Sequence, residues 1–133
     1  MIVVDAGVLL VALVDDGDDG ASVRTRLRGE GLAAPELIDL EVTSALRGLT
    51  RSGQVLPRRA DLAMQDLETI PVRRAPHHRL LSRCWELRDS LTPYDASYVA
   101  LAEALDTTLL TGDRRLARAS GPRCRIELLQ TST

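Results

Sequence analysis

Short apolar runs rich in β-branched residues alternate along this chain with longer segments of helical character. That alternation restricts the fold more than any other feature. "MIVV" (residues 1–4), "LAA" (32–34), "TIPVRR" (69–74), "TTLLT" (107–111) and "RCRIELL" (123–129) read as strands. Pro71 marks an irregularity or a sheet edge within the third. Between them, "VLLVALV" (8–14) reads as a short buried helix and "ASVRTRLRG" (21–29) as a short helix with a glycine stop. Pro35 suits the first turn of a long helix from Glu36 to about Arg51, closed by Ser52-Gly53. Pro57 opens another to about Leu67, Pro76 precedes one to about Ser90, and Thr92-Pro93 starts one to about Leu105. "GDRRLARA" (112–119) is a last short helix. Strands alternating with helices imply a parallel sheet covered by helices. A length of 133 residues suits one core, so the expectation is an α/β fold in a single domain, 1–133.

Composition removes several functions. The longest apolar run is bracketed by Asp5 and Asp15, too short to cross a bilayer, and no basic segment precedes it as in a secretory signal. A cytoplasmic protein without membrane contact is expected. Cys84 and Cys124 lack metal-ligand spacing and read as buried thiols. Every basic residue is Arg, and Lys, Asn and Phe are absent, as expected of a GC-rich, bacterial genome. Without Lys there is no Walker phosphate loop and no Schiff-base chemistry. The net charge of −2 exerts no general pull on nucleic acid, so any such contact needs a local patch. "DDGDDG" (15–20) lacks the spacing and closing Glu of a calcium loop and reads as a solvated turn.

Four acids stand where carboxylates need explaining. Asp5 ends the first strand and Asp113 follows the fourth, just past Gly112. In open parallel sheets ligands bind beyond the carboxyl ends of the strands, so these two reach one crevice if their strands are neighbours. Each is also an ordinary helix cap when taken singly. Glu41 lies on or beside the apolar stripe of its helix, formed by Leu37, Ile38, Val42, Ala45, Leu46 and Leu49. Asp95 follows Thr92 and Pro93 as the third residue of a well-made helix start. Two like charges ~4 Å apart cost on the order of 4 kcal/mol at an effective dielectric of 20. Four such groups call for protonation or for a hard divalent cation, and all-oxygen ligation suits Mg²⁺ or Mn²⁺. The residues alone therefore point to Mg²⁺-dependent phosphoryl transfer.

"MIVVDAG", "LAAPELIDLEVTSALR", "LTPYDASYVALAEAL" and "TTLLTGDRRLARA", in this order and spacing, resemble the PIN domain, most closely the VapC-type toxins of bacterial toxin–antitoxin pairs. The resemblance runs from Met1 to the final strand. It implies a three-layer α/β/α sandwich around a short five-stranded parallel sheet. It implies a metal-dependent endoribonuclease with catalytic Asp5, Glu41, Asp95 and Asp113, and with Asp5 and Asp95 as metal ligands. It also implies a homodimer, a cognate VapB-type antitoxin that neutralises the protein, and structured RNA, tRNA or rRNA, as substrate. Gly7 stands where the family usually carries Ser or Thr, whereas Thr111 matches a common family hydroxyl near the last carboxylate.

Arg47 and Arg51, one helical turn apart, and Arg114 and Arg115, directly after Asp113, are the candidates for phosphate contacts. His77-His78 reads as surface, and Trp85 as core or dimer interface. Two other readings compete. A phosphate-acceptor domain lacks its Lys here, and a non-catalytic binding module does not explain four intact acids.

Overall fold

The computed structural model of the 133-residue chain describes residues 1–130. The strands are β1 (Ile2–Val4), β2 (Leu32–Pro35), β3 (Val72–Ala75), β4 (Leu109–Thr111) and β5 (Ile126–Leu128). The helices are α1 (Ala6–Val14), α2 (Asp18–Leu27), α3 (Ile38–Arg51), α4 (Pro57–Thr69), α5 (Leu81–Glu86), α6 (Pro93–Ala104) and α7 (Arg114–Arg118). A single 3-10 turn, His78–Leu80, leads into α5.

All strand pairs are parallel, in the order β3-β2-β1-β4-β5. The central strands β1, β2 and β4 are buried along their length, and only the edges β3 and β5 include partly exposed residues. This is why the inner three read as unbroken apolar runs. After β1 the chain winds towards β3, then crosses back to β4 and β5. Right-handed crossovers therefore put α1–α4 on one face and α5–α7 on the other. The packing agrees: α1 touches α2, α3 and α4, whereas α6 lies against α5 and across β1, β2 and β4. The direction of winding reverses between β1 and β4, which pair through Val3–Leu109 and Val4–Leu110.

Several expected boundaries shift: the strand expected from Thr69 begins at Val72 because α4 runs on to Thr69, which leaves Pro71 before the strand, and three others move for reasons of local bonding. The acidic stretch 15–20 is not all turn, because α2 begins at Asp18. Asp18 and Asp19 favour a first helical turn, and the Asp15 carboxylate accepts from the Gly17 and Gly20 amides at 2.7 and 3.3 Å. Only glycine fits at position 20, where a Cβ would stand 1.9 Å from the Asp15 carbonyl oxygen. Pro35 ends β2 instead of opening α3. Pairing to β1 stops at Ala33, and the chain leaves the sheet as the Glu36 amide donates to the Ala75 carbonyl at 2.9 Å. The helix expected up to Ser90 ends at Glu86. There the backbone goes on only as hydrogen-bonded turns, with the Leu91 amide on the Leu87 carbonyl at 3.0 Å, while Arg88 Nη1 donates to the Trp85 carbonyl at 2.9 Å and Ser90 Oγ to the Ser120 carbonyl at 2.8 Å.

Candidate active site

Asp5, Glu41, Asp95 and Asp113 line one crevice of about 400 Å³ with Gly7, Tyr98 and Gly112, at the carboxyl end of the sheet where the winding reverses. Each arrives by a different local device. The Asp5 amide donates to the Leu110 carbonyl at 3.1 Å, so the β1–β4 pairing carries Asp5 to the sheet edge. Its Oδ1 then caps α1 by accepting the Val8 amide at 2.8 Å. Asp113 caps α7 in the same way, accepting the Arg115 amide at 2.9 Å. Asp95 is set by the Thr92 cap, whose Oγ1 accepts the Asp95 amide at 3.2 Å. Glu41 stands in the first turn of α3, half-buried as its helical spacing suggests.

Thr111 ties the two strand-end acids together. Its fully buried hydroxyl donates to Asp5 Oδ2 and accepts from the Asp113 amide at 3.0 Å. The hydroxyl is thus bonded to the first carboxylate and only to the backbone of the last. Tyr98, given no role in the sequence reading, donates to Glu41 Oε1 at 2.6 Å. The signal for it was present: Tyr98 lies three residues after Asp95 and so shares its helix face. Gly7 has an ordinary helical backbone, and a Cβ there would lie 3.6 Å from Asp5 Oδ1, in normal contact.

Burial is the largest influence on Asp5, Glu41 and Asp95, and the charges of neighbouring acids add to it. Burial raises the Asp5 pKa, bonds from Thr111 and Val8 oppose the rise, and the charges of Asp95 and Asp113 add to it. Burial also raises Glu41, against the Tyr98 bond and with the Asp95 charge. Asp95 is raised by burial and by Asp113, with Arg115 and Thr92 pulling down. The site therefore holds mutually repelling, partly desolvated carboxylates. This oxygen-only donor set fits a hard divalent cation. Among the described residues no three His, Cys, Asp or Glu side chains stand close enough together to hold a metal ion by themselves.

The arginines divide. Arg115 borders a smaller hollow of about 180 Å³ that shares Asp95 and Asp113 with the main crevice, and its Nε lies 3.9 Å from Asp113 Oδ1. Arg114 is exposed beside it. Arg47 and Arg51 lie exposed further along α3 and do not line the crevice. His77 and His78 are at the surface. Trp85 is not core: it is 68% exposed, with the Arg88 guanidinium 4.6 Å from its ring centre. Cys84 is buried and Cys124 half-buried, and both are free thiols. Among the described residues no helix is long and apolar enough to cross a membrane.

The sequence matches the family model described as PIN domain over residues 2–122. It is 43% identical over 129 residues to Ribonuclease VapC1 of Mycobacterium tuberculosis, covering 96% of this chain and 97% of that protein. Among solved structures it is similar to PAE2754 from Pyrobaculum aerophilum, with a TM-score of 0.68 and 27% identity over 94% of this chain and 81% of that one. The fold is also that of a chain in the Rickettsia felis VapBC2 complex with a promoter DNA fragment, with a TM-score of 0.65, 14% identity and coverage of 96% and 98%. With a family match from the first strand past the last acid, and close identity to a VapC protein along nearly all of both chains, the chain belongs to the PIN-domain family, in its VapC branch.

Proposed function

We propose that this chain, as one domain, is a divalent-metal-dependent endoribonuclease toxin of a VapBC-type pair. It acts in the cytoplasm as a homodimer on structured RNA, tRNA or rRNA, and a cognate VapB-type antitoxin neutralises it. The observation that carries this reading is the convergence of Asp5, Glu41, Asp95 and Asp113 on one crevice at the point where the sheet reverses its winding. Relatives named VapC ribonucleases support the choice of RNA, and the likeness to a chain of the VapBC2 complex supports the choice of partner.

Asp5 and Asp95 are the ligands that would hold Mg²⁺ or Mn²⁺, which supplies charge neutralisation and a more acidic attacking water. Thr111 fixes the Asp5 carboxylate against the first turn of α7, so the oxygens facing the crevice are set before substrate arrives. Glu41 keeps Oε2 clear of its bond to Tyr98 and can take a proton there from the attacking water. Asp113, tied to α7 by its cap, lies across the crevice mouth with Arg115. Arg114 and Arg115 meet phosphates at this mouth, and Arg47 and Arg51 meet a more distant part of the strand.

The test is induction of the protein alone, beside Asp5→Asn, with RNA ends mapped across the transcriptome. New ends at defined positions with the wild type, absent with Asp5→Asn and suppressed by the co-expressed antitoxin, support the reading. Identical RNA ends in all three cultures overturn it.

A further inference from the structure

Among the described residues Tyr98 is the largest fully buried side chain, 2% exposed, in a helix whose other buried positions are Ala96, Ser97, Val99, Ala100, Leu101 and Ala102. Packing alone asks for the ring and not for the hydroxyl, since a buried O–H needs a partner or becomes a cost. That hydroxyl ends on Glu41 Oε1 at 2.6 Å. The bond joins α6, on one face of the sheet, to α3, on the other, and both of its residues line the crevice.

Glu41 needs such a tether. Its side chain has three rotatable bonds, it is only half-buried, and the Asp95 charge repels it. Left to itself, the carboxylate would swing to solvent, away from the other acids. We propose that Tyr98 is a positioning residue, whose hydroxyl holds the Glu41 carboxylate in the crevice beside Asp95 and leaves Oε2 as the oxygen that serves the reaction. This deepens the ribonuclease reading and rests on it for its kinetic consequence alone. The tether itself is a property of the unloaded protein.

Tyr98→Phe keeps the buried ring, so the fold survives, and the experiment is a double-mutant cycle with Glu41→Ala. Without metal, Tyr98→Phe alone should lower the melting temperature by about 2–8 °C. In the Glu41→Ala background it should leave the temperature unchanged or raise it, because the hydroxyl there has lost its acceptor. On an RNA substrate, Tyr98→Phe should lower kcat by roughly ten- to a hundredfold, as outer-shell partners do, with KM changed by no more than about twofold. It should lower kcat no further once Glu41 is Ala. Equal melting losses in both backgrounds, or an unchanged kcat beside a coupled melting cycle, overturn the proposal. If the wild type cuts no RNA, the ribonuclease reading fails, and the melting cycle still decides whether Tyr98 tethers Glu41.

Discussion

Asp5 serves as helix cap and site carboxylate at once, through different oxygens: Oδ1 takes the Val8 amide and Oδ2 the Thr111 hydroxyl. Asp5→Asn keeps the capping oxygen and removes the charge. It should abolish RNA cleavage while changing metal-free stability by no more than about 1 kcal/mol, since a lost hydrogen bond offsets the relieved repulsion. Asp5→Ala also loses the cap and should cost about 1 kcal/mol more in urea unfolding. Gly7 is the family departure visible in the sequence, and the structure shows room for a side chain there. Gly7→Ser puts a hydroxyl next to Asp5 on a backbone that serine adopts freely, and removes the entropy cost of ordering glycine. The expected result is a slightly higher melting temperature and a cleavage rate raised by about tenfold, read from initial rates across a Mg²⁺ titration. A slower variant would show that the crevice needs its width at this position. At this scale the acids were legible in the sequence because each sits at an element end, where its position can be counted. The Tyr98–Glu41 bond was not, because 57 residues separate its partners and helix spacing says nothing about what faces a helix.

The elements that carry the site are fastened at points away from it. Arg74 on β3 donates to both oxygens of Asp39 in the first turn of α3, at 3.0 to 3.1 Å, and to the Leu67, Ile70 and Val72 carbonyls around the end of α4. One guanidinium thus closes a helix C-terminus and fixes the helix that presents Glu41. Arg74→Ala should cost about 2 kcal/mol in urea unfolding. Arg74→Lys should recover little, since an ammonium cannot fan out to so many acceptors. Element existence and order were readable from the alternation of apolar runs. The boundaries that shifted did so where a side chain supports a helix start, at Asp15, where side chains compete for backbone carbonyls past a helix end, at Arg88 and Ser90, or where sheet pairing claims a residue, at Pro35. Such competition depends on tertiary neighbours, and local propensity does not contain it.

For the molecule as a whole, the site is a place where the bare fold is under electrostatic load. Burial, with the mutual repulsion of the acids, raises the folded-state pKa of Asp5, Glu41 and Asp95 above the ordinary values of 3.8, 4.5 and 3.8. The stability these groups contribute is complete below those ordinary values and is lost as pH rises through the raised ones. Asp16, Glu103 and Glu127 shift the other way, but they cancel when wild type is compared with a variant that keeps them. The metal-free melting temperature of wild type, relative to the triple variant Asp5→Asn, Glu41→Gln, Asp95→Asn, should therefore fall as pH rises above about 4. Saturating Mn²⁺ should reverse that trend, because an ion binds the deprotonated form and only the folded one. A difference that stays flat with pH, with and without Mn²⁺, would falsify the picture of coupled carboxylates. The pairing of β1 with β4 has one more result. The Asp5–Thr111 bond spans 106 residues, and Thr111 ends β4, the last strand but one along the chain. At roughly 5–20 residues per second of synthesis, about 5 to 20 seconds separate the appearance of the first acid from that of the last. A nascent chain carries Asp5 from the start, yet the crevice that gathers the four acids is incomplete until β4 pairs with β1. A chain stopped before β4 should therefore show no ribonuclease activity, because the crossing order of the sheet leaves the crevice unassembled until most of the protein has been made.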